Sequence, residues 1–192
     1  MSYGSVTELL YASTSPGIAK NTFTTEITIN DTVNMGVQYH LPPDFWLPNN
    51  VQVGRGIKIV GKGMLASTGT PTYIPIIRFG ASGSTSGPTI GSPTTALTTI
   101  SGANNFFEIE LDVVMKSIGP AGANSTVQSV GRIMSSGLAV PISPLWGNAA
   151  LPGTVPTVDT SIANYINVNF ICSVSNAANQ VQLFQLLVFG LN

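Results

Sequence analysis

Between Phe107 and Met115 the chain alternates without a break: Phe107, Ile109, Leu111, Val113 and Met115 hold one parity, and Glu108, Glu110 and Asp112 hold the other. Successive side chains of a strand point to opposite faces, so Asn105 to Ile118 reads as a strand with one dry face and one charged face. A helix would scatter the same acids around its circumference. Gly119 to Ser125 is a turn cluster, and Thr126 to Ala139 returns as a second strand, which makes a hairpin.

The same rhythm recurs elsewhere. Phe23, Thr25, Ile27 and Ile29 alternate with Thr24, Glu26 and Thr28 and predict a strand. Gly56 to Leu65 predicts another, with Ile57 and Ile59 inward and Lys58, Val60 and Lys62 outward. Thr72 to Gly80 follows, and Pro75 marks it as an edge or a bulge. Ile162 to Val174 and Gln180 to Phe189 form a second hairpin over Ser175 to Asn179. Its last strand, Val181 to Phe189, is apolar on both parities. A strand covered on both faces reads this way, and so does one whose outer face meets another subunit.

Between these strands lie breakers. Residues 1–21 read as an N-terminal arm, with Val6 to Tyr11 as a short strand, and residues 22–192 as a single domain. Tyr39 to Val53 contains Pro42, Pro43 and Pro48 beside Phe45 and Trp46. Proline removes ladder donors, so this is a loop or bent edge whose aromatics plug one end of the fold or face a neighbour. Val140 to Pro156 is a second proline-rich loop and holds Trp146; Ala81 to Thr95 reads as an exposed connection. No helix and no fixed-period repeat stands out. The expected class is all-β, an antiparallel β-sandwich, with jelly roll as the specific expectation.

Charge changes the picture. Only 8% of the 192 residues are charged, against 43% hydrophobic, where about 25% charged is usual. Neighbouring subunits covering the surface would account for this, since interface cores are depleted in charge. An uncharged extracellular surface is the competing reading; apolar residues on the outward parity of several strands favour the first. A net charge of −1 argues against nucleic-acid binding, which needs a basic face. No stretch is long and apolar enough to span a bilayer. The N-terminus lacks a basic segment followed by an apolar one, so no signal peptide is expected. The single cysteine, Cys172, shares the parity of Ile166, Val168 and Phe170 and reads as a buried small hydrophobe.

Catalytic chemistry finds little support. His40 is the single histidine, beside Pro42 and Pro43, and no G-x-S-x-G accompanies it. Gly54, Gly56, Gly61 and Gly63 do not match a phosphate-binding loop and mark bulges or close backbone approach instead. Glu108, Glu110 and Asp112 form an acidic row, which reads as a solvated or salt-bridged face. No catalytic, cofactor or metal site is expected.

Leu41 to Phe45, Val53 to Ile59, Ser67 to Pro71 and Arg78 to Gly80 follow one another in an order that resembles a group of small virion proteins of tailed bacteriophages. The likeness continues through Phe106 to Ile118, Val158 to Thr160 and the closing hairpin; Trp46 to Asn50 and the loop around Trp146 depart from it. The resemblance implies a jelly-roll structural protein, often trimeric, that serves as a head decoration, head fibre or tail-associated module. It would be made in the bacterial host cytoplasm and reside on the virion. Its partners would be itself, as a homotrimer, and the major capsid protein or other virion proteins. The expected function is a non-enzymatic capsid decoration or cement protein; the alternative is a tail or fibre module that binds a host-surface glycan. Candidate interface residues are Phe45, Trp46, Trp146, Phe184 and Leu186. If Ile118 and Thr126 flank the turn, Asp112 faces Arg132 and the two form a salt bridge, with Glu110 diagonal to them.

Overall fold

A computed structural model describes residues 7–43, 45–46, 55–120, 124–147 and 155–191. Among these, the strands in chain order are β1 (Thr7–Ala12), β2 (Lys20–Asn21), β3 (Ile27–Thr28), β4 (His40–Leu41), β5 (Gly56–Ser67), β6 (Thr72–Gly80) and β7 (Thr89–Gly91). They continue as β8 (Leu97–Thr98), β9 (Gly102–Ser117), β10 (Ser125–Ser135), β11 (Ile142–Trp146), β12 (Thr157–Val158), β13 (Asn164–Cys172) and β14 (Gln180–Leu191). One four-residue helix, α1 (Thr32–Met35), interrupts them; Asp31 caps it by accepting from the Asn34 amide.

The strands form two antiparallel sheets packed face to face. The 8-stranded sheet runs β1-β14-β5-β9-β10-β11, with β12 on β10 and β2 on β14; the 6-stranded sheet runs β3-β13-β6-β7, with β4 on β13 and β8 on β6. Early strands pair with late ones in nested order, β5 with β14 and β6 with β13, around the β9–β10 hairpin. The chain is therefore an all-β antiparallel sandwich, wrapped in the manner of a folded ribbon.

The core follows the alternation. Phe107, Ile109, Leu111, Val113 and Met115 are all buried on β9, and face Ile166, Val168, Phe170 and Cys172 of β13 in one cluster. The Phe107 and Phe170 rings, 5.6 Å apart, join the two sheets. Gly63 on β5 shows why glycine sits in a central strand: a Cβ there would lie 2.6 Å from the Phe107 ring.

Three expectations change. The strand from Phe23 to Ile29 contracts to Ile27–Thr28, although Phe23 and Ile29 are buried. The stretch from Ala81 is not simply an exposed connection, because Thr89–Gly91 pairs with β6 and buries Ile90. The loop expected from Val140 to Pro156 holds strand β11, Ile142–Trp146, which pairs with β10. The short strand expected in the arm is present, as Thr7–Ala12 extends the large sheet along β14 and the Gly17 amide donates to the Leu183 carbonyl. Residues 1–6 and the proline-rich stretches 47–54 and 148–154 lie outside the described residues.

The double apolar parity of β14 has a local cause. Its register on β5 shifts between Leu183 and Gln185, where Phe184 is the extra residue. A bulge swaps the parity that faces inward, so Val181 and Leu183 are buried before it and Leu186 and Val188 after it.

Candidate functional site

The outer face of the large sheet is the surface that concentrates the chain's charge. Strand β5 contributes Lys58 and Lys62, β9 contributes Glu108, Glu110, Asp112 and Lys116, and β10 contributes Arg132. The β5–β9 register sets Lys62 opposite Glu108 and Lys58 opposite Asp112. Lys62 Nζ lies 3.6 Å from Glu108 Oε2, and Lys58 Nζ lies 3.4 Å from Glu110 Oε1.

Arg132 corrects the sequence reading. It stands opposite Glu110, and Asp112 stands opposite Val130. Thr126 pairs with Ser117 instead of Ile118, and the register slips one residue further between Thr126 and Val127, so Arg132 meets a residue two places earlier on β9. A two-residue shift keeps the side chain on the same face. Arg132 Nη2 lies 2.7 Å from Glu110 Oε2. Burial would raise the Glu110 pKa, but the charges and hydrogen bonds of Lys58 and Arg132 outweigh it and hold the carboxyl below the ordinary range.

Apolar side chains flank this stripe. Phe106 (52% exposed) precedes it on β9, Val130 (49%) lies on β10 and Ile142 (56%) on β11. Ile142 pairs with Met134, and Trp146 pairs with Val130. Phe106, Glu108, Met134, Pro141 and Ile142 line a shallow depression of about 580 Å³. A second, of about 340 Å³, lies over Lys58, Glu110, Asp112 and Arg132. The face is broad, not a deep cleft, and carries both signs of charge.

The expected interface residues divide. Phe45 and Trp46 are buried within the chain itself, their rings edge to face at 4.8 Å, with the Arg55 guanidinium 4.3 Å above the Phe45 ring. These contacts make them an internal plug, and the interface expectation for both is corrected. Leu186 is corrected too: the bulge turns it into the core. Phe184 remains exposed at 44%. Trp146 is partly exposed on β11, and its backbone exchanges hydrogen bonds with Ser92 at 2.9 Å in both directions.

A second polar arrangement escaped the sequence reading. On the outward parity of β13, Asn167 and Asn169 are fully buried, because residues from Ala81 to Ser86 fold over them. Asn167 Oδ1 accepts from Gln38 Nε2 at 2.8 Å and from the Ser84 amide at 3.1 Å. Beside it, Arg78 forks onto Glu26, with Nε to Oε1 at 2.7 Å and Nη2 to Oε2 at 2.9 Å. Asn169 Nδ2 donates to the same Oε1. Asn169 Oδ1 is buried without a partner, but the remaining contacts join Gln38, Glu26, Arg78 and the Ala81–Ser84 backbone into a strut that fixes the covering loop. The outward position of Arg78 beside a Ser/Gly-rich segment was its one sequence signal.

His40 is exposed and its ring lies 4.8 Å from that of Tyr165. Among the described residues no group of three or more His, Cys, Asp or Glu side chains is placed to hold a metal ion. Among them, too, no helix is long and apolar enough to cross a membrane. A scan against protein-family models finds no match, and a comparison with curated proteins finds none either.

Proposed function

We propose that this protein is a non-enzymatic structural component of a bacteriophage particle, a capsid decoration or cement protein that works through protein–protein contacts. The observation that carries the reading is the outer face of the eight-stranded sheet. Three cross-strand ion pairs join most of its charges, and exposed Phe106, Val130 and Ile142 stand around them. Large apolar side chains gathered on an exposed face mark an interaction surface. Low overall charge fits the same reading, because covered surface needs little of it. The phage assignment rests on the ordered motifs from Leu41 to Gly80 and the strand that follows. The protein acts on the virion, with copies of itself and with the capsid shell as partners.

The test is co-sedimentation of the tagged protein with purified particles of the phage that encodes it. Saturable binding that stabilises the particle against heat is the expected result. Wild-type protein that neither occurs on particles nor binds them would exclude the reading. Partly exposed Trp146 keeps one alternative in play, a tail or fibre module that stacks a host glycan on that ring. Glycan binding abolished by Trp146→Ala would favour it.

A further inference from the structure

We propose that the outer face of the large sheet packs against the same face of a second copy, about a twofold axis that runs along the strands between β5 and β9. The inference deepens the assembly reading by naming the occupant of this face, and it rests on that reading only for the choice of face.

The argument begins with register. Lys62 lies directly opposite Glu108, and Lys58 directly opposite Asp112. A basic column therefore runs beside an acidic one, about 4.8 Å away. A twofold axis along the strands exchanges the two columns and preserves the level of each residue. Lys62 of one copy then stands over Glu108 of the other, and Lys58 over Asp112, twice each. Facing sheets pack about 10 Å apart, a gap that a lysine and a carboxylate reaching toward each other can bridge.

Charge and size agree with this arrangement. Lys58, Lys62, Lys116 and Arg132 stand on this face with Glu108, Glu110 and Asp112, four basic against three acidic, so the face carries little net charge to repel its own copy. The six strands from β1 to β11 span roughly 24 Å, and the twelve residues of β5 about 40 Å. Their plane is about 1,000 Å², against about 800 Å² per partner in a stable interface. Phe106, Val130 and Ile142 supply the apolar contacts outside the charged columns. A surface that complements itself generates a closed pair, whereas a threefold ring joins two different surfaces. The symmetry of the columns selects the pair over the threefold ring that the resemblance implies.

Sedimentation velocity across a micromolar concentration series tests the proposal, on wild type, Lys62→Glu, Glu108→Lys and an equimolar mixture of the two variants. Circular dichroism first verifies that each variant is folded. The wild type should pass from monomer to dimer as concentration rises. Either variant alone places like charges over each other and should stay monomeric. In the mixture every facing pair is opposite in charge again, so dimers should return. Mixing alters no contact within either chain, so this recovery reports the interface alone. A monomeric wild type, variants that dimerise unaided, or a folded mixture that stays monomeric would each overturn the proposal. A chain that binds particles yet fails this test removes the twofold pair alone; one that dimerises but binds no particle removes the virion reading alone.

Discussion

Glu110 is held by Arg132 from one neighbouring strand and by Lys58 from the other, at 2.7 Å and 3.4 Å, so a single carboxylate ties together β10, β9 and β5. Each pair is exposed enough to contribute little alone. Together they relieve repulsion along the acidic row.

That arrangement makes stability depend on acid. The Glu110 pKa is lowered in the folded state, so its stabilisation is present above the ordinary value of 4.5 and is lost as pH falls through the folded value. Glu110→Gln should cost about 0.5–1 kcal/mol near neutral pH, and the difference should shrink in acid. Urea unfolding of both proteins across that range is the measurement. A difference independent of pH would contradict it.

The strut on the other sheet should matter more. Arg78 makes two contacts to Glu26 and also donates to the Gly87 carbonyl and to Thr89 Oγ1. Arg78→Ala should cost about 1.5–3 kcal/mol, as for hydrogen bonds to charged groups. Arg78→Lys should recover only part of this, because an ammonium cannot reproduce the planar fork. Denaturant midpoints of the three proteins would show the order.

Tyr73 gives an alkaline counterpart. Its hydroxyl donates to the Ala66 carbonyl at 3.0 Å, and burial, with Cys172 nearby, pushes its pKa well above the ordinary 10.0. The folded state retains the proton that the unfolded chain releases, so stability should fall as pH rises beyond 10.0. Tyr73→Phe should cost about 1 kcal/mol at neutral pH and remove this contribution to the alkaline loss.

The bulge in β14 separates two neighbouring apolar residues by role. Leu186→Ala should cost about 2–5 kcal/mol, as for a core truncation. Phe184→Ser should change stability by about 0.5 kcal/mol or less, as on an open surface. Thermal melts of the two variants would distinguish them.

These roles show what the chain discloses before folding. Strand β9 was legible because every inward position is apolar and Glu108, Glu110 and Asp112 mark the outward ones. In β14 Phe184 and Leu186 are both apolar, so nothing marked which parity turned inward after the bulge. The same limit displaced Arg132, since the turn is one residue longer than expected and the irregular step after Thr126 adds one more, and together they reset every pairing beyond. Asn167 and Asn169 carried no signal of their burial, because the donors and acceptors that cover them come from Gln38 and Ala81 to Ser84, far away in sequence. Phe45 and Trp46 had been offered two fates, and packing against Arg55 and each other chose the internal one.

The claim that the outer face of the large sheet is the assembly surface is tested most directly by hydroxyl-radical footprinting of the assembled and dispersed protein. Phe106 and Met134 lie on that face and are reactive side chains, whereas exposed Val33 lies on α1 in another part of the fold. Assembly should protect Phe106 and Met134 strongly and leave Val33 unchanged. Unaltered labelling of Phe106 and Met134 in an assembly that is otherwise intact would contradict the claim.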